Sequence, residues 1–483
     1  MSSPTVSDGS GFQRSIKLFQ ATAINMTQMC GIGPFVTIPL ILTTMGGPQA
    51  ILGWIVGAAL AMVDGLVWAE LGAAMPGAGG TYIYLREAFQ YRSGRLMPFL
   101  FAWTAVLSIP LVMSSGIIGL IQYLGYLWPG VVGADGNPNT LGKVIGIALV
   151  ALIVILLYRK IGDVSRVTTV FFVIMLISIV AVVIAAYTHF HPSLAFTYPP
   201  GAFHLGNSFF AGLGAGLVIA IYDYLGYNTS AYLGAELRNP GKTLPRSIIY
   251  AIVGIMVLYL ALQIGVLGAA HWQDIAKSSS AASFVLQQTW GTVAAKIFTV
   301  FIIITAFASV FTGLLGGSRV PFEAARDKLF LPWFGRLHPR LKFPTVGLIV
   351  MGVLTAIASL FPLGAVINMF IAVIVIVQAI AQIFALFVLR RRQPNLKRPY
   401  KQWLYPVPSI LALVGWIYVY VSANNGSTLP PLARPIELSL FWLAAGIIAF
   451  LIWAGVEKTW PFGPKEIKEA YLDEQKAEDA VSA

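Results

Sequence analysis

The sequence predicts an all-α membrane protein with twelve transmembrane helices. Of its 483 residues, 57% are hydrophobic and only 10% are charged, whereas about a quarter of the residues of a soluble domain are charged. A helix needs about 20 apolar residues to cross a bilayer, and eight long stretches contain no Asp, Glu, Lys or Arg: 18–63, 96–134, 167–222, 247–273, 297–318, 343–389, 402–433 and 438–456. This composition excludes a soluble enzyme, a secreted disulfide scaffold and a disordered chain.

Cysteine content and net charge narrow the class further. Cys30 is the single cysteine, which excludes an intramolecular disulfide framework and a multi-thiolate metal site. The net charge of +12 agrees with the basic excess of cytoplasmic membrane-protein loops, so we predict no nucleic-acid partner. The five histidines lie in loops or at the ends of spans, and we predict no metal site, no cofactor and no enzymatic activity.

Glycine, proline and charge clusters divide the apolar stretches into individual spans. Gly46, Gly47 and Pro48, for example, separate the first span from the second. The predicted spans are residues 18–45, 49–75, 98–127, 141–158, 167–187, 207–233, 247–270, 291–318, 345–361, 365–389, 404–422 and 437–456. Because the number of spans is even, both ends of the chain are expected on the same side of the membrane.

The distribution of positive charge predicts which side that is. With the N-terminus in the cytoplasm, the outward-facing segments carry only Lys143, Lys277, Lys296 and Arg434, which leaves 27 of the 31 Lys and Arg residues inside. Positive residues are retained on the cytoplasmic side during insertion. We therefore expect a multi-pass protein of the cell membrane with both termini cytoplasmic.

Two predicted spans contain residues that interrupt a helix near the middle of the membrane. The first span has Gly31, Gly33 and Pro34 at its centre, and the sixth has a glycine-rich run at 211–216 followed by the polar stretch 222–228. Backbone freed from a helix inside a membrane must line a cavity or be buried in protein. Freed N–H groups attract an anion and freed carbonyls attract an ammonium group, so such a site suits a zwitterion.

The two interruptions lie five spans apart, which is the spacing of an inverted repeat. We accordingly divide the chain into a cytoplasmic N-terminal segment (1–17), a first half with spans 1–5 (18–187), a second half with spans 6–10 (207–389), spans 11 and 12 (404–456) and a charged cytoplasmic tail (457–483). The alternative is that the glycines only allow close helix packing and that Pro34 only kinks the first span.

Four sequence motifs, in order and at the right spacing, resemble those of the amino acid–polyamine–organocation transporters from about residue 15 to 457. The motifs are Gly31-Ile32-Gly33-Pro34-Phe35, Ala69-Glu70-Leu71-Gly72 with Pro76-Gly77-Ala78-Gly79-Gly80-Thr81-Tyr82, Glu236-Leu237-Arg238-Asn239-Pro240 with Leu244-Pro245-Arg246, and Ser318-Arg319 with Ala325-Arg326-Asp327. The resemblance implies the leucine-transporter-type fold, with a 5+5 inverted repeat plus two helices, and transport by alternating access.

The resemblance also implies where a substrate binds. Its carboxylate would meet N–H groups of the Gly31-Ile32-Gly33 segment, and its amine would meet the carbonyls of Met29, Tyr222 and Leu225. Tyr222 would close over the substrate, and the same stretch contributes Asp223, Tyr224 and Asn228.

Three residues depart from the family pattern. Ile32 is larger than the usual small residue and is expected to crowd the carboxylate, and Pro34 removes one N–H donor. Aligning Arg166 and Val167 with their counterparts places Met175 where many sodium-independent relatives have a lysine. This argues against lysine-mediated proton coupling.

Two carboxylates lie inside apolar spans, which is costly and indicates a functional site. Asp223 can pair with a cationic substrate, hold an α-ammonium group or titrate as a proton site; the alternative is a structural hydrogen bond to a neighbouring tyrosine. For Asp64, structural pairing and a role as a proton or cation site are equally open. Glu70 is expected to end span two near the cytoplasm, as part of a gate or a loop anchor.

We therefore expect a secondary active transporter, or permease, that moves amino acids or related amines. Its expected partners are the small-molecule substrate, the lipid bilayer and, under proton coupling, H⁺; coupling and exchange are both open. The alternatives are a transporter-fold nutrient sensor, a polyamine or cationic amine uptake system, and an intramembrane enzyme. Deleting residues 458–483 separates the sensor from the transporter, because only transport survives loss of the tail.

Overall fold

A computed structural model describes residues 15–77, 80–158, 164–338 and 344–462, with the backbone alone for 164–172 and Ala235. Most of the predicted segments 1–17 and 457–483 lies outside these residues, as do the motif residues Ala78 and Gly79. The described chain is all-helical, and its β pairing is confined to three isolated bridges.

Nineteen α-helices form the described chain. The first seven are α1 (Leu18–Met29), α2 (Gly33–Met45), α3 (Ile51–Ala74), α4 (Thr81–Ser93), α5 (Leu96–Leu127), α6 (Thr140–Tyr158) and α7 (Val164–Thr188). They are followed by α8 (Pro192–Phe196), α9 (Asn207–Tyr224), α10 (Thr229–Tyr232), α11 (Pro240–Ala269), α12 (Trp272–Lys277), α13 (Ala281–Gly317) and α14 (Arg319–Arg326). The last five are α15 (Thr345–Ala358), α16 (Leu363–Ile374), α17 (Ala381–Arg392), α18 (Val407–Ser422) and α19 (Pro435–Val456).

Seven helical segments of the described chain are long and apolar enough to cross a membrane. They are Pro48–Ala74, Leu96–Leu127, Thr140–Tyr158, Pro240–Ala269, Ala281–Arg326, Leu363–Arg392 and Pro435–Val456. The pair α1 and α2, bent by 50°, makes an eighth when counted as one broken span. Shorter apolar helices are Val173–Thr188, Thr345–Ala358 and Val407–Ser422.

Packing separates the helices into central and peripheral ones. In the most apolar 18-residue stretch of α5, 83% of the residues are buried, against 28% in the corresponding stretches of α6 and α19. On α18, apolar side chains such as Leu411, Val414 and Val421 are more than half exposed. Exposed apolar surface of this extent is typical of a face that contacts lipid. The peripheral helices therefore surround a core centred on α5.

Two local features differ from a regular span. Helix α13 begins at Ala281, ten residues before the predicted start of its span, and is interrupted at Gly291, whose φ is 85°. The polar residues Gln287, Gln288 and Thr289 explain the difference, since they are helical but not apolar. A π-helical turn, Val375–Ile380, joins α16 to α17; such turns are frequent at functional sites.

Candidate functional site

The first span breaks where Gly31, Gly33 and Pro34 predict it. Helix α1 ends at Met29 and α2 begins at Gly33. Pro34 occupies the first turn of α2, where the N–H group has no helical acceptor in any case, so its missing donor costs no helical hydrogen bond. Within the described residues, neither the Ile32 nor the Gly33 N–H donates to a protein acceptor. The break therefore leaves two free donors at the N-terminus of α2.

The side chain of Ile32 does not fill this break. A Cβ atom placed on Gly119 of α5 would lie 3.0 Å from Ile32 Cδ1, so the isoleucine packs into the space that the glycine leaves. Gly31 faces another neighbour, because a Cβ atom there would lie 3.2 Å from Ser309 Oγ of α13. The crowding expected from Ile32 is thus directed at α5.

The second break follows Tyr224, the last residue of α9. Leu225 is extended (φ −64°, ψ 141°). Gly226 has φ 116°, a backbone conformation that residues other than glycine rarely adopt. A Cβ atom on Gly226 would lie 3.0 Å from backbone atoms of Gln28 and Met29. The second break therefore packs directly on the end of α1, and the two breaks are in contact.

Asp223 lies at this contact and is 2% exposed. Its Oδ2 accepts a hydrogen bond of 2.5 Å from the Thr37 hydroxyl of α2. The structural hydrogen bond that was considered above for a tyrosine is therefore made by a threonine. Its Oδ1 has no hydrogen-bond partner among the described residues. A Cβ atom on Gly33 would lie 2.0 Å from that oxygen, so only glycine leaves room for the carboxylate.

Tyr222 and Tyr224 connect the second break to different helices. The Tyr222 hydroxyl is 2.6 Å from Ser115 Oγ of α5, and its ring packs edge-on against Phe370 of α16, with 5.8 Å between the ring centres. Tyr224 packs instead against Trp54 of α3 and Tyr259 of α11. The predicted closing residue Tyr222 therefore spans the gap from α9 to α5 and α16.

Tyr259 contacts both breaks and is not singled out by the sequence. Its hydroxyl is 2.8 Å from the carbonyl oxygen of Met29 and 3.3 Å from that of Asp223. It thus bridges the two breaks and contacts a carbonyl predicted to hold an amine. No local pattern singles it out, since it is one of 19 tyrosines in an apolar span. Thr37 was missed for the same reason.

Asp64 lies beside the second break in a different environment. Its Oδ2 accepts a hydrogen bond of 2.5 Å from the Tyr227 hydroxyl, and its Oδ1 accepts one of 3.0 Å from Trp416 Nε1 of α18. A small cavity adjoins it, lined by Asp64, Trp68, Leu225, Tyr227, Asn228, Ile374, Gln378, Ala379 and Trp416. The predicted residues Leu225 and Asn228 therefore border this cavity, together with the π-helical turn.

Met175, at the position aligned with a family lysine, is buried in α7. Its thioether carries no charge, so this position supplies no ammonium group. The side chains of Arg166 and Val167, on which that alignment rests, lie outside the described part of the chain.

Glu70 forms the centre of an ion-pair network at the end of α3. Arg390 of α17 donates to it through Nε at 2.8 Å and Nη2 at 2.6 Å. The Gln402 N–H donates at 2.6 Å, and Arg398 Nε lies 3.5 Å away. The Arg390 guanidinium also lies 3.7 Å from the centre of the Tyr405 ring. Glu70 therefore anchors α3 to α17 and to the segment before α18.

The chain is similar to known membrane transporters along most of its length. The branched-chain amino acid permease BcaP of Lactococcus lactis subsp. cremoris is 24% identical over 77% of this chain and 82% of its own. The serine/threonine exchanger SteT of Bacillus subtilis is 25% identical over 93% of this chain and 98% of its own. The methylthioribose transporter of the same species is 23% identical over 91% and 93%, respectively.

A model of the family described as amino acid permease matches residues 16–453. This match includes both breaks, the Asp64 cavity and the Glu70 network. The chain belongs to the amino acid permease family of membrane transporters.

Proposed function

We propose that the chain is a secondary active transporter of amino acids or related amines, with twelve spans in a 5+5 inverted repeat plus two helices. The twelve proposed spans are the eight membrane-span candidates, the three shorter apolar helices and α9, which is the broken sixth span. The two broken spans then lie at matching positions of the halves 18–187 and 207–389, with 404–456 supplying spans 11 and 12. Interrupted helices at matching positions are typical of a transporter binding site.

The proposed substrate site lies at the contact between the two breaks. The observation that carries this proposal is a buried, unpartnered carboxylate oxygen of Asp223 beside two free N–H groups, those of Ile32 and Gly33. Most buried polar groups in proteins are hydrogen-bonded. Unpartnered groups of both kinds around two breaks favour a polar ligand at this place, with Met29, Gly31, Tyr222, Tyr224, Leu225 and Asn228 around it.

The helix packing supports alternating access by two rigid groups. Helices α1, α2, α3, α9 and α11 pack on one another, and α5 packs on α13, α15 and α6. The first group contains both breaks, and the second corresponds to spans 3, 4, 8 and 9. We propose that the first group rocks against the second when substrate binds, with both termini in the cytoplasm and the protein in the cell membrane. No catalytic activity or cofactor is part of this proposal.

Asp64 has a different proposed role. Both of its oxygens accept hydrogen bonds, from Tyr227 and Trp416, whereas Asp223 has a free oxygen. We therefore propose that Asp64 holds α3, the second break and α18 together, and that Asp223 is the carboxylate that meets substrate or a coupling proton.

Uptake into proteoliposomes tests the proposed function. Purified protein is screened with labelled amino acids and amines, with and without a pH gradient, and saturable uptake of one class is the expected result. Asp223→Asn should weaken uptake at least tenfold, because truncating one partner of a buried charged contact costs about 2–5 kcal/mol. No uptake and no exchange by folded protein would contradict the proposal.

Asp135→Asn is the matched control for that variant. Asp135 is exposed in the loop before α6, where hydrogen bonds from Asn137 hold the pKa of its carboxyl below the ordinary value. It is therefore ionised at neutral pH, like a typical surface carboxylate, and it lies far along the chain from either break. Its replacement removes the same charge, and uptake should stay at the wild-type level.

A further inference from the structure

The position of Asp223 relative to α2 has a chemical consequence for the ligand. The N-terminus of a helix, with its free N–H groups, is a place where anions bind. In this protein a carboxylate of the chain itself lies beside the first turn of α2, since a Cβ atom on Gly33 would come within 2.0 Å of Asp223 Oδ1. The Thr37 hydroxyl holds the other oxygen. The protein therefore places a carboxylate of its own next to the Ile32 and Gly33 N–H groups, although it accepts no hydrogen bond from them.

No positive charge of the described chain compensates this carboxylate. Asp223 makes no ion pair within the described residues, and the titratable groups that interact with it are Cys30, Tyr222, Tyr224 and Tyr259. None of these side chains carries a positive charge. Because charges interact strongly in a buried, low-dielectric site, an ionised Asp223 would repel a second carboxylate bound to the Ile32 and Gly33 N–H groups.

The hydrogen-bond acceptors at the contact between the two breaks also indicate that an ammonium group would bind to Asp223. The carbonyl oxygens of Met29 and Asp223 both lie within hydrogen-bond distance of the Tyr259 hydroxyl. Asp223 Oδ1 is buried and has no donor. An ammonium group has three donors and no acceptor, so it is the type of group that satisfies this oxygen.

From these contacts we infer that Asp223 replaces the α-carboxylate of an amino acid substrate and selects primary ammonium compounds that lack one. The inference rests on the proposed function, because it places the ligand at the contact between the two breaks. Asp223 is then a specificity-determining residue: it binds the ammonium group and repels an α-amino acid of the same side chain.

Pairs of ligands that differ only in the α-carboxylate test this inference. Putrescine is compared with ornithine, cadaverine with lysine, 3-methylbutylamine with leucine and phenethylamine with phenylalanine. Each compound is titrated as an inhibitor of the uptake of a labelled amino acid or amine into proteoliposomes. It is also titrated as a stabiliser of the purified protein against heat. In wild-type protein, the amine of the best-binding pair should bind at least tenfold more tightly than its amino acid.

Two variants assign the preference to Asp223. Asp223→Asn should weaken amine binding at least tenfold and strengthen amino acid binding, so that the order within the pair reverses. Thr37→Val keeps the charge but releases Oδ2, and it should weaken amine binding without reversing the order. A monodisperse elution profile shows that each variant is folded, and the exposed-carboxylate variant Asp135→Asn should keep the wild-type order.

Other outcomes separate this inference from the proposed function. Saturable transport with tighter binding of the amino acid in wild-type protein would overturn the inference and leave the transporter intact. Amino acid uptake that rises as the pH falls, and loses this dependence in Asp223→Asn, would also overturn it and assign Asp223 to proton transfer. If folded protein binds and transports neither class, the proposed function fails and the inference with it.

Discussion

A Glu70→Gln variant is expected to lose about 3 kcal/mol of folding stability, the cost of leaving a buried ion pair without one partner. Glu70 is 1% exposed and Arg390 is 21% exposed, so little water can solvate the Arg390 guanidinium once its partner charge is lost. Glutamine keeps one acceptor oxygen but cannot accept both Arg390 hydrogen bonds and the one from the Gln402 N–H. The midpoint of thermal unfolding in detergent should fall clearly below that of the wild type.

Glu323→Gln provides the matched control for this variant. Glu323 also pairs with an arginine, Arg326, but the atoms are 3.6 Å apart and the side chains are 61% and 63% exposed. Exposed pairs of this kind contribute about 0–1 kcal/mol, so the unfolding midpoint should hardly move. Equal shifts in the two variants would show that Glu70 does not anchor α3 to α17.

Gly33→Ala is expected to reduce transport by about 5- to 150-fold, since an added methyl in a packed site costs about 1–3 kcal/mol. The methyl would lie 2.0 Å from Asp223 Oδ1 and 3.2 Å from its Cγ. The carboxylate must therefore move away from α2 and lose its contact with Thr37. Uptake rates measured over a range of substrate concentrations should show weaker apparent affinity in this variant.

Gly31→Ala controls for the loss of a glycine in the same break. Neither glycine has a positive φ, so backbone strain does not distinguish the two variants. A Cβ atom on Gly31 would meet Ser309 Oγ at 3.2 Å, a contact that a small shift relieves. Gly31→Ala should keep most of the transport activity. If it were as damaging as Gly33→Ala, the contact with Asp223 would not be the cause.

The membrane character and the place of the first break could be predicted because both depend on local chemistry. Apolar runs of sufficient length identify spans, and Gly31, Gly33 and Pro34 weaken a helix wherever they occur together. Hence the predicted interruption at residues 30–35 agrees with the end of α1 at Met29 and the start of α2 at Gly33. The short helices α4, α12 and α14 and the π-helical turn were not predicted, since their sequences resemble loops or continuous helix.

The partners of the site residues depend on contacts between distant parts of the chain. Asp223 was singled out because carboxylates inside spans are rare, but Thr37 lies 186 residues from it. Tyr259 meets Met29 across 230 residues. An ordinary threonine and an ordinary tyrosine carry no local signal for such a contact. The sequence therefore singles out the carboxylate of the candidate site, whereas the hydroxyl groups that contact it could not be predicted.

Alkylation of Cys30 tests whether substrate binds at the contact between the two breaks. This residue lies between α1 and α2 and is the single cysteine of the chain, so a membrane-permeant maleimide reports on one position. Gly455→Cys in a Cys30→Ser background is the control, because Gly455 is exposed on α19 with no atom within 4 Å of its Cβ position.

A transported compound bound at the two breaks should slow the labelling of Cys30, with half of the effect at the concentration that half-saturates uptake. Labelling at the control position should not respond to the same compound. An unchanged rate of Cys30 labelling at saturating substrate, in vesicles that transport it, would contradict a binding site at the two breaks.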